Sequence, residues 1–252
     1  MNRREDAYGR LLWDYLERRA ATEIVERDDG FIATSCGPLA YFAEFPNWPK
    51  HQRRGIRFAR GRVLDVGAGA GRVALYLQRR GHQVTTIDNS PLAVELCRKR
   101  GLRNATLLPV ERIGNFTAGA FDTIVMYGNN FGLFGAKRKA HRLLREFYRI
   151  TSPDAAILAE SNDPYRTRNP AHLRYHRRNR RRGRMAGQVR IRIRHLDACG
   201  PWFDYLLVSP EEMAALLQGT GWRIGRIFRG GAPYVAVIEK AVKERDRRTP
   251  GR

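Results

Sequence analysis

Two acids and three glycines are grouped as a cofactor site requires: VLDVGAGAGRVALYL carries Asp65 just before Gly67, Gly69 and Gly71, and Asp88 follows in TTIDNS. Glycine lets a backbone turn sharply and lets a ligand come close to the main chain. A helix that begins straight after such a loop turns free N–H groups toward an anionic or polar ligand. A carboxylate at the tip of the next strand can accept hydrogen bonds from both hydroxyls of a ribose. The chemistry implied is the binding of a nucleoside-bearing cofactor. A nicotinamide dinucleotide site would follow G-x-G-x-x-G. Here Arg72 stands in place of the last glycine, and the acid before Gly67 is foreign to that fingerprint.

These residues need strands and helices to place them, and the pattern supplies both. RVLDV reads as a buried strand, and GRVALYLQRRG as a helix ending at Gly81. QVTTI is a second strand. SPLAVELCRKRG is a helix with Ser90 as N-cap, Pro91 first and Gly101 as the stop. NATLL and FDTIVM give the third and fourth strands, AKRKAHRLLREFYRI a long helix, and AAILAE the fifth strand. Strands alternating with helices predict a parallel sheet covered on both faces. Near the end, SPEEMAALLQGTGW reads as a helix capped by Ser209, and WRIGRIF and PYVAVIEK as a strand–turn–strand unit.

Three segments flank this pattern. Leu11, Leu12, Tyr15 and Leu16 have amphipathic-helix spacing, and DDGFIATSCGPLAYFAEFPNWPK reads as a structured loop or short helical cap. Residues 162–186 are polar and basic. After them, QVRIRIRHLD and WFDYLLV read as two strands, the first with Val189, Ile191 and Ile193 on one face and Arg190, Arg192 and Arg194 on the other. The expected organisation is a helical cap over 1–60, a main domain over 61–240 with a substrate-side insert or lid at 161–208, and a basic tail over 241–252.

The combination resembles the class I S-adenosylmethionine-dependent methyltransferases over about Gly61 to Glu160. Their first motif is an acid followed by G-x-G-x-G, here DVGAGAG, and their second an acid closing the second strand, here IDNS. GWRIGRIF and YVAVIEK match the family's last two strands. The resemblance implies an α/β, Rossmann-like seven-stranded sheet, mostly parallel with an antiparallel last strand and helices on both faces. It implies S-adenosylmethionine as cofactor and S-adenosylhomocysteine as product. Asp65, Gly67, Ala68 and Gly69 would surround the methionine part, with Gly71 letting the helix pack close. Asp88 would hold the ribose and Asn89 lie beside the adenine, with Val110 or Glu111 taking the place of the third motif. The acceptor would approach the end of the fourth strand, MYGNNFGLFG, where Tyr127 and Gly128 border the cofactor. Tyr127, Asn129 and His195 are the candidate catalytic residues; Tyr41, Asn130, Tyr165 and Arg192 are the candidate acceptor contacts.

The nature of the acceptor is bounded more loosely. The sequence of 252 residues is 42% hydrophobic and 10% aromatic, a globular composition. No apolar run approaches the ~20 residues a membrane span needs, and the N-terminus lacks a secretory signal, so the expected address is the cytoplasm. Cys36, Cys97 and Cys199 form no CxxC pair, which argues against a disulfide framework or a metal site. The [DNS]-P-P-[FYW] motif of exocyclic-amino methylases is absent, since NDPY follows the fifth strand and not the fourth. No cysteine stands directly after the fourth strand for covalent attack on a pyrimidine. A small or medium-sized acceptor, with the charge hinting at an anionic one, is the leading reading. The net charge of +22 and the Arg-rich insert keep RNA as the alternative partner. A non-catalytic cofactor-binding protein is the third.

Overall fold

The computed structural model describes residues 2–35 and 37–241. Cys36 and all but the first residue of the expected basic tail lie outside the described residues. The chain opens with α1 (Ala7–Leu16), capped by Asp6, whose side chain accepts from the Gly9 N–H. Leu11 and Leu12 are its buried face, each contributing roughly 1.5–3 kcal/mol by leaving water. A hairpin of β1 (Glu23–Arg27) and β2 (Ile32–Ser35) follows. Gly30 turns it at φ +84°. Two short helices, α2 (Gly37–Phe42) and α3 (Lys50–Gly55), lead into the main domain.

That domain alternates as expected: β3 (Arg62–Val66), α4 (Arg72–Arg79), β4 (Gln83–Asp88), α5 (Pro91–Lys99), β5 (Ala105–Leu107), β6 (Phe121–Met126), α6 (Lys137–Ile150) and β7 (Thr151–Asn162). The segment after it folds as α7 (Pro170–Arg181), β8 (Gln188–His195), β9 (Ala198–Cys199) and β10 (Phe203–Leu206). Then come α8 (Pro210–Leu217), β11 (Trp222–Arg229) and β12 (Pro233–Lys240). Seven strands form the main sheet in the order β11-β12-β7-β6-β3-β4-β5. Only β12 runs against the others, pairing antiparallel with both β7 and β11. Alternate residues feed separate cores: Ile124 and Met126 pack with Leu143 and Phe147 of α6, while Val125 packs with Val63, Leu158 and Leu77 of α4.

A second, antiparallel sheet stands over this domain in the order β10-β8-β1-β2, with β9 on β8. Val25 of β1 sits opposite Ile193 of β8, and Arg27 opposite Ile191. The N-terminal segment is therefore not purely helical: its hairpin pairs with the insert. The two β-branched runs EIVER and FIATS around Asp-Asp-Gly carry that hairpin.

Candidate active site

A cavity of about 1100 Å³ lies between the C-terminal ends of the main-sheet strands and the second sheet, where ligands of open α/β sheets bind. The glycine loop forms one wall. Gly67, Gly69 and Gly71 all adopt positive φ, at +75°, +55° and +75°, a region that side-chain-bearing residues rarely adopt. A Cβ at Gly69 would stand 2.5 Å from the Tyr8 hydroxyl, which α1 suspends over the loop. A Cβ at Gly71 would meet Leu102 at 2.8 Å, so Gly71 serves helix packing and does not line the cavity. Asp88 is 7% exposed and accepts from the backbone N–H groups of Gly69 and Ser90, both at 2.9 Å. It thereby fixes the loop while facing the cavity.

Asp65 is buried beneath the loop. Burial pushes its carboxyl up to about 7, with the charge of Arg72 working against the shift. Arg72 begins α4, donates to Gln52 Oε1 at 3.0 Å and lies over the Trp48 ring at 4.5 Å. Arg72 is among the residues that line the cavity, and burial lowers its pKa. Asp65 and Arg72 thus flank one glycine loop, close enough for their charges to influence each other. Asn89, Val110 and Glu111 line the cavity farther along; Glu111 forms an ion pair with Lys139.

The end of β6, the strand next to β3, supplies the adjoining wall. Tyr127 donates its hydroxyl to the Gln52 carbonyl at 3.0 Å. Asn129 is left-handed at φ +67°, its Oδ1 is buried without a partner, and its carbonyl accepts from the Tyr205 hydroxyl at 2.6 Å. Glu160, at the end of β7, holds this turn. It accepts from the N–H of Gly128 at 2.6 Å and of Asn129 at 3.3 Å. His51 and Gln52 of α3 reach it at 2.9 and 2.8 Å. Burial alone would raise the Glu160 pKa, but these hydrogen bonds leave it lowered. Asn130 donates to the Val66 and Gly67 carbonyls at 2.9 and 2.8 Å, fastening the turn to the glycine loop.

Asp65, Gly67, Ala68, Gly69, Asp88, Asn89, Val110, Glu111, Tyr127, Gly128, Asn129, Asn130 and Tyr41 therefore surround one space. Besides Gly71, three expected site residues lie outside it. His195 is 1% exposed, with its ring nitrogens against Asp14 at 2.7 Å and the Thr22 carbonyl at 3.1 Å. Tyr165 donates to Glu212 at 2.6 Å on the surface. Arg192 is on the outer face of β8, paired with Glu26 at 2.9 Å and stacked over Trp202 at 4.6 Å. The apolar face of that strand (Val189, Ile191 and Ile193) is the one that lines the cavity. His172 and His176, four positions apart on α7, line the same cavity; burial lowers both pKa values. Tyr8, Arg72 and Glu160 were not among the expected residues. Among the described residues, no group of three or more His, Cys, Asp or Glu is placed to hold a metal ion. Nor, among them, is any helix long and apolar enough to cross a membrane.

Residues 64–159 match the family model described as a methyltransferase domain. The ubiquinone biosynthesis O-methyltransferase of Xanthomonas oryzae is 32% identical over 96 residues, which are 32% of this chain and 40% of that protein. The match thus spans less than half of that curated relative. A solved S-adenosylmethionine-dependent methyltransferase from Bacteroides fragilis, in complex with S-adenosylhomocysteine, superposes with a TM-score of 0.80. The two are 26% identical, with 96% of this chain and 98% of the other covered. A methyltransferase from Methanosarcina mazei shares the fold at a TM-score of 0.59 and 18% identity, over 74% of this chain and 96% of the other. Residues 64–159 thus match a methyltransferase domain, and strand order, glycine loop and the superposition support a class I S-adenosylmethionine-dependent methyltransferase.

Proposed function

We propose that the protein methylates a small, largely apolar acceptor held beneath the second sheet, using S-adenosylmethionine. The observation that carries this reading is the division of one cavity. The glycine loop, Asp88 and Arg72 line one end, and the inward face of β1, β8 and β10 the other. The residues present fit the cofactor. Side chains at Gly67 or Gly69 would fill the cradle, since a Cβ at either would stand 2.5 Å from Asn130 Nδ2 or the Tyr8 hydroxyl. Asp88 offers its carboxylate to the ribose hydroxyls. Asp65 and Arg72 offer a negative and a positive group to the zwitterionic methionine end. When bound, the cofactor supplies a methyl group already attached to a good leaving group, so the protein's task is mainly alignment and exclusion of water. The Tyr127–Asn130 turn, held by Glu160, borders the place where the two halves meet.

Val25, Ala33, Ile191, Ile193 and Phe203 line the acceptor half, which favours an acceptor with an apolar body. The named O-methyltransferase relative fits the same class. Calorimetric titration of S-adenosylhomocysteine into Asp88→Ala tests the cofactor assignment. The expected loss is roughly tenfold or more, from charge-assisted hydrogen bonds of about 1.5–3 kcal/mol. Unchanged affinity would remove Asp88 from the ribose site.

A further inference from the structure

Glu23 is a buried carboxylate that the alignment of the cofactor does not use. It is 3% exposed and lies on the cavity face of β1, two positions before Val25. Among the described residues no ion pair neutralises it. Its oxygens accept from the Tyr41 hydroxyl, at 3.1 Å to each, and from the Ser35 hydroxyl. Gly37 closes the backbone against the same carboxylate, where a side chain would collide. Tyr41 meets the Tyr8 ring edge-on at 5.5 Å, and Tyr8 stands over Gly69. Glu23 is thus linked to the cofactor loop through two aromatic rings, at the border of the two halves of the cavity.

Burying a carboxylate without a cation is costly, and folds retain such groups chiefly where chemistry needs them. Burial, opposed by the two hydroxyl donors, raises the Glu23 pKa above the ordinary carboxylate value, which makes it a better proton acceptor near neutral pH. The surrounding surface is apolar and aromatic, with Phe31, Phe203 and Tyr205 among the lining. A flat ring carrying a neutral hydroxyl suits it. Such a hydroxyl is a weak nucleophile until its proton has somewhere to go.

We infer that Glu23, oriented by Tyr41 and Ser35, is the catalytic residue that takes the proton from a ring hydroxyl of the acceptor. The inference rests on the methyltransferase reading above. The acceptor O–H bond breaks and its proton passes to a Glu23 oxygen. A new O–CH3 bond forms as the S–CH3 bond of the sulfonium breaks, and that electron pair stays on sulfur. The proton on Glu23 later returns to solvent.

The test uses the full chain with catechol and 4-methylcatechol as probes. Wild type is expected to methylate 4-methylcatechol, whose hydroxyls are neutral near pH 7. Glu23→Gln should bind S-adenosylhomocysteine as wild type does, yet lose about 100-fold or more in kcat, the usual worth of a positioned base. In the S-adenosylhomocysteine complex it should also bind 4-methylcatechol roughly tenfold more weakly, having lost a charge-assisted hydrogen bond. The acid limb of kcat against pH, measured at saturating cofactor, should disappear. Tyr8, Tyr41 and Tyr205 face Glu23, and burial raises all three pKa values, so none of them supplies that limb. A Glu23→Gln protein with wild-type kcat and pH profile overturns the inference. So does a wild type that binds S-adenosylhomocysteine and methylates neither probe. If Glu23→Gln does not fold, Tyr41→Phe decides: kcat lowered about tenfold supports the pairing, and an unchanged kcat refutes it. A wild type that fails to bind S-adenosylhomocysteine refutes the cofactor reading instead.

Discussion

Lowering the pH should loosen the cofactor while relieving the empty protein, and Asp65 is the cause of both. Burial sets its carboxyl at about 7 in the folded protein, against an ordinary value of 3.8. If the ionised form holds the amino group of the cofactor, binding below pH 7 must first remove a proton. At pH 5.5 about 3% of such carboxyls are ionised, against about three quarters at pH 7.5. Affinity for S-adenosylhomocysteine should therefore fall roughly twentyfold to thirtyfold between pH 7.5 and 5.5. The stability of the unliganded protein runs the other way. A carboxyl whose folded value lies above its unfolded value penalises folding increasingly as pH rises from 3.8 to about 7, and fully beyond that. Between pH 5 and pH 8 the added penalty is roughly 2.5 kcal/mol. Calorimetry in buffers of different ionisation enthalpy reads the proton released on binding, and chemical denaturation reads the stability. Asp65→Asn should flatten both slopes. Affinity that is level from pH 5.5 to 7.5, or a slope that survives in Asp65→Asn, would refute the reasoning.

Three further outcomes follow from the geometry. Gly71→Ala forces a Cβ to within 2.8 Å of Leu102 at φ +75°, and should destabilise the fold by about 2 kcal/mol in denaturation. Arg192→Ala removes a side chain from the outer face of β8, so the Kd for S-adenosylhomocysteine and the KM for a methylated acceptor should both stay unchanged; a tenfold rise in either would put Arg192 back in the site. Arg174, Arg177, Arg178 and Arg181 are exposed on α7, so binding to a single-stranded RNA, if RNA is a partner, should weaken steeply with salt as counterions are released. Weak binding that ignores salt would set RNA aside.

The glycine-loop end of the cavity is legible in the sequence because its signals are local. The acid, glycines and helix start of DVGAGAG sit side by side, and Ser90–Pro91 marks the helix that follows Asp88. The acceptor end depends on contacts between distant segments. The alternation of RIRIRH separated its two faces correctly, but could not say that the apolar face borders a cavity and not solid core. That is why Arg192 and His195 were expected at the site and Ile191 and Ile193 were not. Glu160 is 108 positions from Gln52 and invisible as its partner in sequence. Two signals were available and unread: the Asp-Asp-Gly turn of the first hairpin, and Asn169–Pro170 as the N-cap and first residue of α7.

The pairing of β1 with β8 has a consequence for biosynthesis. Glu26 and Arg192 are 166 positions apart, and ribosomes extend a chain at about 5–20 residues per second. The first hairpin therefore waits roughly ten to thirty seconds with one edge bare before its partner strand is made. Exposed strand edges invite association between nascent chains. The charged side chains of Glu26 and Arg27 on that strand, later used to lock the roof in place, would first serve to keep neighbouring polypeptides from adding to it.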